Sequence, residues 1–231
     1  MSSPGLFRAG WVIASKDLRL EGRTWETLSS SLVFSLIVLV IFSFGFSFET
    51  MRELGAARLV PGVIWTVLAF ASIVGLARSM QLERASETIN AIYLAPIDRG
   101  SLFLGKLLAN LVKVSILQWV VLPLSAILFD YPLLPILAPL LLVLFVHGAG
   151  LTLLGTLFAG VAIRVGRGEA LVATLLFPAA SPIFISAVKC TAALLEGQPL
   201  DSVSHWLLVA CGFDMLYFMV ALLIFDFVLE E

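Results

Sequence analysis

Six apolar runs divide this chain, at roughly 28–48, 59–79, 102–128, 133–162, 170–194 and 206–228. Each is near or above the roughly 20 residues a helix needs to cross a bilayer. The runs are continuous, whereas barrel strands alternate apolar and polar positions over about ten residues. The pattern therefore predicts an all-α membrane protein with six transmembrane helices in a single domain covering 1–231. The fourth and fifth runs exceed what a bilayer requires, so the sequence predicts tilting or partial re-entry there.

Composition turns this pattern into a requirement. Apolar residues make up 60% of the chain and charged residues 13%, against roughly 45–50% and about 25% in soluble domains. A soluble fold of this content would expose large apolar patches and aggregate. Helices in lipid satisfy their backbone polar groups internally. The net charge of −2 gives no nucleic-acid footprint. The first apolar run begins near Leu28 with no small-residue cleavage site after it, so no signal peptide is predicted. Cys190 and Cys211 show no metal or redox spacing and are expected as buried small apolar side chains.

Orientation follows from the basic residues, which accumulate in cytoplasmic loops. With both termini inside, the inner set is Arg8, Lys16, Arg19, Arg23, Arg78, Arg84, Arg99, Lys106, Lys113, Arg164 and Arg167, and the outer set is Arg52, Arg58 and Lys189. Eleven against three accounts for all fourteen. The predicted topology is N-in, C-in.

Two polar stretches carry helical periodicity. In residues 5–24, Phe7, Trp11, Ala14 and Leu18 form one apolar stripe, and Arg8, Ser15, Lys16, Arg19 and Arg23 fall on the opposite arc. A basic arc behind an aromatic one predicts an amphipathic interfacial helix on the anionic leaflet, serving as an anchor or as a lever into the bundle. Between the second and third spans, Leu82, Ala85, Ile89 and Tyr93 form a narrow stripe, while Glu83, Arg84, Glu87 and Asn90 face away. Ala95-Pro96 would stop that helix, and Asp98 or Ser101 is available to cap the third span. A short cytoplasmic helix with outward charges suits either docking of a soluble partner or a solvated connection.

Catalytic constellations are missing. There is no G-x-x-x-x-G-K-[ST], H-E-x-x-H, G-x-S-x-G or acidic D-x-x-D-G-type run. Ionisable groups inside spans are functional candidates because each is costly in hydrocarbon. His147, flanked by Gly148 and Gly150, reads as a cofactor ligand, a proton-relay group or an interhelical hydrogen bond. Asp214 and Lys189 are candidates to pair across helices, and Lys113 is expected to snorkel to the inner surface. Pro178 and Pro182, four apart, predict a bent or broken fifth span, as found beside substrate paths.

Val60-Pro61-Gly62-Val63-Ile64-Trp65, opening the second span, resembles the P-G-[IV]-[IV]-W signature of the CcmB family, the membrane subunits of the cytochrome c maturation ABC complex. The stretch Glu83–Ile92, then Leu94-Ala95-Pro96-Ile97 and Leu104-Gly105-Lys106, is similar to that family's cytoplasmic loop. The likeness is most specific over 60–106 and extends by hydropathy and length to nearly the whole chain. Where better-known members carry an acidic D-G-S-L-E-Q-type stretch, this chain has Arg84-Ala85-Ser86-Glu87-Thr88-Ile89.

The resemblance implies an ABC-2 exporter-like permease of the bacterial inner membrane, a homodimer within its complex and not itself an enzyme. It implies a separate ABC ATPase subunit carrying ATP and engaging Leu82, Glu83, Arg84, Glu87, Asn90 and Tyr93. It implies other cytochrome c maturation membrane proteins and a haem chaperone as partners, with ATP used either to export haem or to release the haem-loaded chaperone; if haem crosses, the span residues singled out above, His147, Pro178, Pro182 and Asp214, are the candidates for its path. Two other readings stay open: an ABC-2 exporter for lipid, drug or polysaccharide, and a membrane-embedded lipid transferase.

Overall fold

The computed structural model describes residues 5–46, 50, 53–85, 99–165 and 169–228. Among these the chain forms seven α-helices and no strand: α1 (Leu6–Thr24), α2 (Glu26–Gly45), α3 (Ala56–Ala85), α4 (Arg99–Phe129), α5 (Leu137–Val165), α6 (Glu169–Leu195) and α7 (Ser204–Val228). Single 3-10 turns, Leu134–Ile136 and Leu200–Val203, lead into α5 and α7. Helices α2 to α7 are each long and apolar enough to cross a membrane. They coincide with the six predicted runs to within a few residues at most ends.

Helix α5 is central, touching α3, α4, α6 and α7. Helix α3 is the most enclosed, with 67% of its apolar window buried, whereas α7 has 11% and lines the periphery. The core splits into two layers. One, towards the α4–α5 turn, joins Val60, Ile64, Trp65 and Leu68 to Leu117, Val121, Leu140, Val143 and Ala187. The other, towards the α1 end, joins Ile73, Phe103, Leu151, Leu154, Val172 and Leu176. Glycines on α5 let neighbours in closely: a Cβ on Gly148 would strike the Gln118 amide, one on Gly150 the Asp214 carboxylate, and one on Gly155 Leu76.

Helix α1 lies along α4 and turns its small residues towards it. Ala9, Gly10, Ala14 and Glu21 are buried and Asp17 nearly so, while Phe7 and Trp11 are 81% and 65% exposed. Small residues win the packing face because they allow backbones to approach closely. At the crossing, a Cβ on Gly105 would lie 2.7 Å from the Gly10 carbonyl oxygen and 2.7 Å from Ile13 Cβ. Neither neighbour is a flexible side-chain end. Gly105→Val should therefore cost about 1–3 kcal/mol by overpacking and lift α1 from α4. A lower unfolding midpoint with new protease cleavage within α1 is the expected readout.

Helices α1 and α2 meet at an elbow. Trp25 sits there at φ 52°, its N–H bonded to the Glu21 carbonyl at 2.7 Å. The Glu21 carboxylate reaches around the bend and accepts the N–H groups of Thr27 (2.9 Å) and Leu28 (2.8 Å). Those are first-turn donors of α2 that have no partner within their own helix. Arg78, at the far end of α3, pairs with Glu26 beside the same elbow.

The two prolines of α6 do not break it. The helix runs from Glu169 to Leu195 with both inside. Pro182 has no N–H to offer the Pro178 carbonyl, and the Ser181 hydroxyl donates to that oxygen at 2.8 Å. Tyr217 of α7 adds a bond to the neighbouring Ala179 carbonyl at 2.6 Å. At the other end of the bundle the α4–α5 turn is closed by Tyr131, whose hydroxyl lies 2.8 Å from Ser125 Oγ. Burial pushes the Tyr131 phenol above its usual pKa, so it stays protonated in that contact at neutral pH.

Candidate functional site

The buried polar residues gather in two clusters at different depths. The first surrounds His147, which is fully buried in α5. Its Nδ1 lies 2.7 Å from the Val143 carbonyl oxygen. A carbonyl only accepts, which puts a ring proton on Nδ1. Its Nε2 lies 2.8 Å from Ser186 Oγ of α6, and that hydroxyl also lies 2.7 Å from the Trp206 carbonyl oxygen of α7, so one hydroxyl proton is shared between the ring nitrogen and the carbonyl. Trp65 of α3 packs its ring 5.5 Å from the imidazole at 59° and donates through Nε1 to Thr191 Oγ1 of α6 at 3.0 Å. Four helices are thus tied at one depth. The last residue of the Val60–Trp65 motif is one of the ties, which links the most specific sequence signature to the central histidine.

The second cluster lies at the α1 end. Asp17 of α1 forms an ion pair with Lys106 of α4 at 2.7 Å, with side chains 8% and 2% exposed. Lys113, two turns further along α4, is buried too, and Glu21, Lys106 and Asp17 are its charged neighbours. So Lys113 does not snorkel. Its position on α4 points it between α2 and α3, where it lines a cavity with Thr27, Ser31, Ser72 and Asn110. Asn110 donates to Thr156 Oγ1 of α5 at 3.0 Å, and Gln118, further along, donates to the Leu144 carbonyl at 3.0 Å. Helix α4 therefore presents a buried polar stripe through much of its length.

With Asp17 and Glu21 turned inward, the exposed charges of α1 are Arg8, Lys16, Arg19 and Arg23. Lys16 alone reaches back to Asp17, at 3.2 Å. Trp11 lies exposed beside this basic arc.

The other predicted positions separate. Asp214 rests at Gly150 and Ile183, and its Oδ1 has no hydrogen-bond partner among the described residues. It does not pair with Lys189, which is exposed and lies six residues beyond Ile183, about 9 Å along the helix. Cys190 is buried as expected, but Cys211 is exposed on α7. Pro178 and Pro182 lie within α6. Leu82, Glu83 and Arg84 fall on the last turn of α3, so the segment begins as a continuation of the second span; their side chains, and Glu87, Asn90 and Tyr93 entirely, lie outside the described residues. Among the described residues no three His, Cys, Asp or Glu side chains gather as a metal site would need.

Sequence reading missed Asp17, Glu21, Lys106 and Asn110 as a set. The available signal was register. Asp17 and Glu21 are four apart and Lys106 and Lys113 seven apart, so each pair shares one helix face.

This arrangement of six apolar helices, an amphipathic N-terminal helix and a buried Pro-Gly-x-x-Trp motif can be set beside known proteins. The family described as CcmB protein matches residues 8–229. The chain belongs to the CcmB family. Its relatives include two proteins named heme exporter protein B. The one from Pseudomonas aeruginosa is 26% identical over 198 residues, covering 85% of this chain and 86% of the relative. The one from Rhodobacter capsulatus is 26% identical over 189 residues, covering 82% and 85%. The similarity to CcmB members thus reaches past the 60–106 segment into α5 and α6, where the His147 cluster sits.

Proposed function

We propose that this chain is the membrane subunit of a haem-exporting ABC assembly that serves cytochrome c biogenesis, embedded in the bacterial inner membrane with both termini inside. The observation that carries the reading is CcmB family membership across 8–229, on a chain whose six long apolar helices span its length. The sequence has no phosphate-binding loop, so ATP hydrolysis belongs to a separate subunit in this reading.

The coupling contact is placed at Leu82, Glu83, Arg84, Glu87, Asn90 and Tyr93. Continuation of α3 as far as Ala85 supports it, since a rigid helix there would carry a push into the most enclosed span of the bundle. Helix α1 lies in the membrane interface, with Phe7 and Trp11 towards lipid and Arg8, Lys16, Arg19 and Arg23 towards headgroups. The assembly contains a second copy of the chain, the ATPase, and further maturation proteins including a haem chaperone.

Charge reversal at Glu83 and Glu87 together tests this reading. The expected result is normal membrane insertion, loss of ATPase co-purification, and loss of c-type cytochromes on haem staining. Unchanged ATPase recovery would remove the coupling assignment. Normal c-type cytochromes in a deletion strain would remove the haem reading altogether.

A further inference from the structure

The junction of α2, α3 and α4 forms a partly open cavity with about 20 Å3 available to the centre of a water molecule. A single water needs roughly 10–15 Å3 on that measure and two to four polar partners. The walls are Leu28, Ala71, Leu76, Val114 and Leu117, interrupted by a few polar side chains. Ser72 and Asn110 are two of those, 2% and 0% exposed. The Ser72 Oγ and the Asn110 Oδ1 have no hydrogen-bond partner among the described residues. The Asn110 amide is oriented by its Nδ2, which donates to Thr156, so the carbonyl end is left over. Lys113 lines the same space.

Donor and acceptor chemistry narrows the ligand. An amide oxygen only accepts, a serine hydroxyl does either, and a lysine ammonium only donates. An anion would face the lone pairs of the Asn110 oxygen, and a cation would face the ammonium. A neutral molecule that both gives and takes hydrogen bonds suits all three groups. The volume leaves room for one small one.

We propose that this junction binds a single ordered water molecule, held by the Asn110 carbonyl and the Ser72 hydroxyl beside Lys113. The water gives one hydrogen to Asn110, exchanges one bond with Ser72, and offers its remaining lone pair to the ammonium. The site joins α3 to α4 through one molecule, so the lysine, the asparagine and the serine act as a unit.

The test is X-ray radiolytic footprinting of the full chain in lipid nanodiscs, read by mass spectrometry, since a bound water yields hydroxyl radical where it sits. Oxidation is expected at Leu76 and Leu117 above the background set by Leu151, which is equally enclosed but does not line this cavity. After transfer to 18O water the label at those residues should acquire 18O more slowly than label at surface residues. Ser72→Val, which fills the space, and Asn110→Leu should each return both leucines to background. The wild-type 18O measurement stands even if either variant fails to fold. Background labelling in the wild type would overturn the proposal, as would fast 18O incorporation, which would mean open penetration of bulk solvent.

Discussion

Replacing Lys106 with Met should destabilise the chain by about 3–5 kcal/mol, and adding Asp17→Leu should recover most of that loss. The pair is buried on both sides, so removing the lysine strands a carboxylate away from water. Lys16 lies 3.2 Å from Asp17 but its side chain is 46% exposed, too solvated to replace a buried partner. An apolar pair of similar volume relieves the stranded charge, because a buried ion pair gains little over well-packed hydrophobic side chains. Unfolding of the four members of this double-mutant cycle in bicelles measures the coupling. A double variant no more stable than Lys106→Met alone would show that the pair is not what fastens α1 to α4. Asp17→Lys combined with Lys106→Asp should restore docking but not full stability, since the two side chains differ in length.

His147→Ala carries the second large effect, about 3 kcal/mol, from the space left by a buried ring and from bonding groups on two helices left without it. Ser186 keeps its bond to the Trp206 carbonyl but loses the imidazole, and Trp65 loses its ring neighbour. His147→Gln should cost less, since an amide retains one donor and one acceptor at similar reach. Haem delivery, followed as c-type cytochrome yield, should fall in step with stability across the two variants. A variant that stays fully stable yet makes no c-type cytochrome would give His147 a part in handling the substrate and not merely in joining helices. The measurement therefore separates the interhelical-bond reading of His147 from the two that give it a part in function.

The six spans were legible because hydropathy answers a single question, whether a stretch can exist in hydrocarbon. That answer needs no partner residues. The faces of the helices were harder, since packing depends on what lies opposite. In α1 the apolar stripe pointed to lipid, but nothing in it marked the face of Gly10, Ala14, Asp17 and Glu21 that packs inward. Close approach to Gly105 and two lysines on α4 could not be read from α1 alone. Lys113 was misjudged for a related reason. Its distance in sequence from the helix start suggested a route to the surface, but its direction on α4 sends it between α2 and α3.

The proline reading shows a local compensation overlooked. Ser181 supplies the hydrogen bond that Pro182 cannot, and that signal was present in the sequence next to the proline. For His147 the sequence listed the interhelical bond as an option but not Ser186 or Trp65 as its partners, which come from helices 39 residues later and far earlier in the chain. The motif around Trp65 was visible as a family mark. Its physical task, contacting the central histidine and bonding Thr191, emerges only from the packed bundle.

The docking of α1 on α4 also sets an order of assembly. Gly10 meets Gly105, a residue made 95 positions later. At roughly 5–20 residues per second of synthesis, α1 waits about 5–20 s for the helix it rests on. During that wait Asp17 and Glu21 have neither lysine to meet, and the arginines and aromatic side chains of α1 can hold it only at the membrane surface. The amphipathic segment is therefore a holding position first and a structural element second. Insertion of α4 brings Lys106 and Lys113 to the waiting acids and ends the wait. A ribosome stalled between the second and third spans would leave α1 on the lipid surface with its acidic side still open to water.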